Sequence, residues 1–126
     1  MGSVLLVDDE VRVVRYFKRR LVHQGYQVDA FTDPEEALNA FRLNPGQWDL
    51  LIVDEAMPKL RGTVLLQHMK QQNHSLRVIL VTGLVGDSAI RLHAERQIDE
   101  ILTKPVEFEA LAEAVARLLS AEAPGR

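Results

Sequence analysis

Three unbroken apolar runs punctuate the chain: Val4-Leu5-Leu6-Val7, Leu50-Leu51-Ile52-Val53 and Val78-Ile79-Leu80-Val81. Short runs of this kind, stopped by polar residues, are the habit of strands buried on both faces in a parallel sheet. Between them the pattern turns helical. From Glu10 to about Gln24, Val11, Val14, Phe17 and Leu21 follow one face, and Arg12, Arg15, Lys18, Arg19 and Arg20 take the others. Gly25 is a suitable stop. Tyr26 to Phe31 alternates, with Tyr26, Val28 and Ala30 on one side, which suits an edge strand. Asp33-Pro34 can cap and open a second helix carrying Ala37, Leu38, Ala40 and Phe41, and Asn44-Pro45-Gly46 ends it. A third helix, Gly62 to Asn73, carries Leu65, Leu66 and Met69. A fourth, Gly86 to about Arg96, has Ile90 and Ala94 fitting an apolar face, but Arg91, His93 and Glu95 make it mostly polar. Glu100 to Thr103 forms a short strand, and Glu107 to Ser120 a last helix with Phe108, Leu111, Val115, Leu118 and Leu119 in its stripe.

Five strands alternating with five helices predict an α/β fold with a parallel sheet. The continuously apolar first, third and fourth strands belong inside; the second and fifth belong at the edges. Right-handed crossovers then give the order 2-1-3-4-5, a flavodoxin-like (βα)5 three-layer sandwich. Residues 1–120 read as one domain, and 121–126, with Pro124 and Gly125, as a tail or the start of a linker.

Composition narrows the function classes. Fifteen basic residues against eighteen acidic ones give a net charge of −3, which argues against a nucleic-acid footprint. The absence of cysteine excludes disulfides and thiolate chemistry. No apolar run approaches the length of about 18 residues needed to span a bilayer, and no signal peptide is visible, so a cytoplasmic setting is expected. The basic face of the first helix reads as solvated surface, with partner docking as the alternative. His23, His68, His74 and His93 show no metal spacing.

In a parallel sheet all C-terminal strand tips share one edge, where ligands bind. Each tip here ends in a polar group: Asp8 and Asp9 after the first strand, Asp54 after the third, Thr82 after the fourth, Lys104 after the fifth. The order 2-1-3-4-5 brings Asp8, Asp9 and Asp54 together. Crowded carboxylates repel unless a cation joins them. An oxygen-only ligand set favours Mg²⁺ or Mn²⁺. A lysine and a hydroxyl beyond the metal would hold phosphoryl oxygens. The set suits placement of a phosphoryl group on Asp54 as nucleophile.

Val7-Asp8-Asp9-Glu10, Val53-Asp54 with Met57-Pro58, Leu60 and Gly62, then Val81-Thr82-Gly83 and Lys104-Pro105-Val106, resemble response-regulator receiver domains over about residues 3 to 120. The resemblance implies Asp54 as phosphoacceptor, Asp9 as direct Mg²⁺ ligand, Asp8 as its water-bridged partner and the Ala56 carbonyl as a further ligand. It implies Thr82 and Lys104 as the phosphoryl-binding switch pair, and a cis Lys104–Pro105 bond. The implied donor is a phosphohistidine on a sensor histidine kinase or a histidine phosphotransfer protein. The domain would be a signalling module rather than a turnover enzyme, with a phosphorylation-dependent homodimer as one output. The Met57-Pro58 and Val81-Thr82-Gly83 wording also resembles receivers attached to hybrid histidine kinases. One position departs from the family: Ile101 stands where Tyr or Phe is usual. An isoleucine there is expected to be largely buried without phosphate.

Other readings compete. A receiver-like docking module that works without phosphorylation would suit an incomplete acidic set. A flavodoxin-type cofactor binder needs a Ser, Thr and Gly loop after the first strand, where Asp8-Asp9-Glu10 would repel phosphate. An aspartyl phosphatase needs a second aspartate two residues after Asp8, where Glu10 stands.

Overall fold

The structure is a computed structural model and describes residues 2–120; the expected tail at 121–126 lies outside the described residues. Along the chain run β1 (Ser3–Val7), α1 (Val11–His23), β2 (Gln27–Phe31), α2 (Pro34–Leu43) and β3 (Leu50–Asp54). Then come α3 (Gly62–Gln72), β4 (Arg77–Thr82), α4 (Asp87–Ala94), β5 (Glu100–Thr103) and α5 (Phe108–Ser120). The five strands form one parallel sheet in the order β2-β1-β3-β4-β5, as predicted.

Alternation along each strand divides the interior in two. Leu5, Val7, Leu51, Val53, Val78 and Leu80 point to one side and pack on α2, α3 and α4. Val4, Leu6, Leu50, Ile52, Ile79 and Val81 point to the other and pack on α1 and α5. This is why the inner strands are apolar at every position: each residue has a layer to bury against. On β2, Val28 is buried while Gln27 and Asp29 are exposed, as an edge strand requires.

The helices end where local chemistry ends them. Gly25, at φ 104°, closes α1. The Asp33 carboxylate accepts the Glu35 N–H at 2.9 Å, and Pro34 occupies the first turn of α2. Two expected faces differ. Val11, at the first position of α1, is 48% exposed, since the helix meets the layer only from Val13 onward. In α4 the buried residues are Ala89 and Leu92, not Ile90 and Ala94. A helix of eight residues presents only a narrow contact stripe, and the pair three apart takes it.

Candidate functional site

The register of the inner strands builds the site. Val7 lies beside Val53, so the residues that follow, Asp8 and Asp54, emerge next to each other. Both share the parity of Leu6 and Ile52, so both face the α1/α5 side. Both are buried. One oxygen from each of Asp8, Asp9 and Asp54 falls within 4.8 Å of the others, a group that could hold a metal ion. Asp8 does not cap α1; its Oδ1 accepts the Glu10 N–H at 2.9 Å, which turns the chain into the helix.

Lys104 reaches the cluster from β5. Its backbone N–H donates to the Thr82 carbonyl at 2.9 Å, and Lys104–Pro105 is a cis peptide, as expected. Its Nζ lies 2.8 Å from Asp54 Oδ1. The pair is close but poorly aligned, and that buried oxygen has no well-formed hydrogen bond. An ion pair that leaves an acceptor unsatisfied in the interior is what an additional cation would complete.

The electrostatics agree. Burial pushes Asp8 up to about 6; the Glu10 N–H opposes this and the Asp54 charge adds to it. Burial also raises Asp54, against the pull of Lys104, with Asp9 adding to the rise. For Lys104, burial works against the charged form, but contact with Asp54 outweighs it and holds the ammonium above its ordinary range. Three carboxylates beside one ammonium leave excess negative charge, which fits a divalent cation bound by oxygen ligands. A cavity of about 470 Å³ opens beside them, walled by Val13, Phe17, Ile52 and Val106.

Thr82 is the member that the structure does not bring into contact. It is buried at the end of β4, with the parity of Val78 and Leu80, on the α2–α4 side. Its hydroxyl donates to the Leu84 carbonyl at 2.8 Å and accepts the Leu84 N–H at 3.2 Å. Among the described residues it makes no hydrogen bond to Asp54. It borders a groove of about 900 Å³ between the starts of α3 and α4.

Ala56 is exposed on the loop after Asp54. Gly62, where that loop joins α3, packs so closely that an added Cβ would run into the Asp54 carbonyl. Ile101 is partly buried against the α2–α4 core, short of the extensive burial expected. Sequence reading passed over Glu55. Its carboxylate accepts the Thr63 N–H at 2.7 Å and the Thr63 hydroxyl at 3.1 Å. The available signal was a carboxylate shortly before a helix whose cap position holds Arg61 and not Ser, Thr, Asp or Asn.

Residues 4–116 match the family described as response regulator receiver domain. The transcriptional regulatory protein PcoR of Escherichia coli is 34% identical over 121 residues, covering 94% of this chain and 52% of PcoR. The chain spans about half the length of the curated relatives it first matches. Among solved structures, a response regulator receiver domain protein from Clostridium thermocellum superposes with a TM-score of 0.87 at 28% identity, covering 97% of each chain. The receiver domain of the hybrid histidine kinase CckA is 33% identical, with a TM-score of 0.80 over 94% of this chain and 99% of that one.

Proposed function

Because this chain belongs to the response regulator receiver domain family, the phosphoacceptor module of two-component signalling, we propose that Asp54 is its phosphoacceptor. The observation that carries this is the meeting of three carboxylates within 4.8 Å beside Lys104, whose Nζ is 2.8 Å from Asp54 Oδ1. The donor is a phosphohistidine on a sensor histidine kinase or histidine phosphotransfer protein. An Asp54 oxygen attacks phosphorus, the P–O bond forms as the P–N bond breaks, and the imidazole leaves with the bonding pair.

Asp9, Asp54 and the Ala56 carbonyl would hold Mg²⁺ directly, with Mn²⁺ as a substitute, and Asp8 would hold it through water. Bound Mg²⁺ supplies neutralisation of the charge that gathers between carboxylates and phosphoryl oxygens. Lys104 moves from the Asp54 carboxylate to a phosphoryl oxygen, an exchange of one anionic partner for another. Thr82 gives its hydroxyl to a second phosphoryl oxygen once released from Leu84. The module transmits or passes on the phosphoryl group rather than turning over a substrate, and we place it in the cytoplasm. Residues 1–120 form the receiver unit, and a homodimer of the phosphorylated chain is one route to output.

Incubation with Mg²⁺ and a small acyl phosphate should add one phosphoryl mass to the intact protein. Asp54→Asn should abolish that gain; an unchanged acid-stable, base-labile adduct on the variant would remove Asp54 from the role.

A further inference from the structure

Seven residues, Glu55 to Arg61, join β3 to α3 and carry the Ala56 carbonyl. Glu55 anchors this loop at both ends. Its backbone N–H donates to the Val81 carbonyl at 2.9 Å, extending the β3–β4 pairing by one residue. Its own carbonyl accepts the Gly62 N–H at 3.1 Å. Its carboxylate spans the loop to Thr63, with both oxygens engaged. Arg61 stands at the cap position of α3 and offers no side-chain cap. Glu55 takes over that task, and a carboxylate is well placed against the positive end of a helix. The Arg61 guanidinium lies 3.9 Å from Glu55 Oε2 and adds to the hold. Ala56 carries only a methyl group, so its peptides are held from the two sides, by Glu55 before it and by the buried Met57 after it.

We propose that Glu55 is a positioning residue for the metal: by bracing the β3–α3 loop it presets the Ala56 carbonyl for Mg²⁺. This rests on the assignment of that carbonyl above. Both Glu55 oxygens are committed to α3, so the residue acts through the loop and not as a further ligand. The alternative, that an acidic residue beside the cluster simply deepens its negative potential, makes a different forecast for the neutral amide.

Mg²⁺ is titrated into the ¹⁵N-labelled full chain without phosphodonor, following the amide signals of Ala56 and Met57. Glu55→Ala should weaken apparent Mg²⁺ affinity about tenfold, the usual effect of losing an outer support of a metal site. Phosphorylation of that variant should return to the wild-type extent at raised Mg²⁺. Glu55→Gln keeps an oxygen for the Thr63 N–H and should stay within about twofold of wild type, since amide oxygens cap helices as well as carboxylates do. Thr63→Val removes one of the two bonds without touching charge and should weaken binding about threefold, a fraction of the full loss. Unchanged affinity in Glu55→Ala overturns the proposal, and so does a Glu55→Gln variant as weak as Glu55→Ala. If Glu55→Ala does not fold, Thr63→Val decides, and wild-type affinity there overturns it. A wild-type protein that binds no Mg²⁺ would instead strike the reading of the site itself.

Discussion

With no metal bound, Asp8 keeps its proton up to about pH 6, because burial outweighs the Glu10 N–H that favours the ionised form. An unfolded chain sheds the same proton near 3.8. Between those values the native state binds more protons, so this residue's contribution falls as pH rises, and the penalty is complete above about 6. Asp8→Asn carries no such charge and can still accept the Glu10 N–H. In EDTA at pH 7.5 it should be more stable than wild type by about 1–3 kcal/mol. The gap should close near pH 4, and Mg²⁺ should narrow it at pH 7.5 by stabilising wild type. Urea unfolding across pH checks all three; a gap that does not change with pH contradicts the burial account. At Gly62 the constraint is steric. A methyl group there meets the backbone of Asp54 and Glu55 and not the end of a flexible side chain. Gly62→Ala should therefore cost about 2 kcal/mol or more, measured by thermal unfolding. Both residues stand out in the sequence, one by its neighbour Asp9 and one by being glycine. Glu55 did not, because its partner Thr63 lies eight residues away across a loop whose path no local pattern predicts.

At the scale of elements, the strands and helices were legible and the buried face of the fourth helix was not. β1, β3 and β4 are buried on both faces, so their apolar runs are continuous and unambiguous. α4 touches the core through Ala89 and Leu92, and four apolar positions within eight residues leave Ile90 and Ala94 as equally good candidates on paper. The reach of Thr82 was equally hidden, since a strand-end hydroxyl can turn to its own loop or across the sheet edge, and only rotamer and parity decide. Here it turns to Leu84. If Thr82 answers the phosphoryl group as proposed, the response would begin in the β4–α4 loop, where Leu84 is 84% exposed. Ile101 lies in β5 beside Leu80 and is already partly buried. It carries no hydroxyl to favour an outward state. Comparison of apo and beryllofluoride-bound protein by amide chemical shift should show changes concentrated after Asp54 and over residues 82–86. Large shifts running through Ile101 and along α5 would contradict this.

For the whole molecule, strand order followed from three apolar runs and two weaker ones, because a parallel sheet leaves little choice once inner and edge strands are known. The convergence of Asp8, Asp9, Asp54 and Lys104 followed from that order and needed no side-chain detail. What strand order alone could not say was which side of the sheet each group faces. Asp8 and Asp54 open toward α1 and the Lys104–Val106 segment, whereas Thr82 borders the groove between α3 and α4. The sheet is thus a partition with a doorway at its C-terminal edge. A phosphodonor that entered from the α1 side would leave the α3–α4 groove uncovered, so writer and reader would not need to take turns. The two could occupy opposite sides of the same receiver at once, and delivery of the signal would not have to wait for the donor to depart.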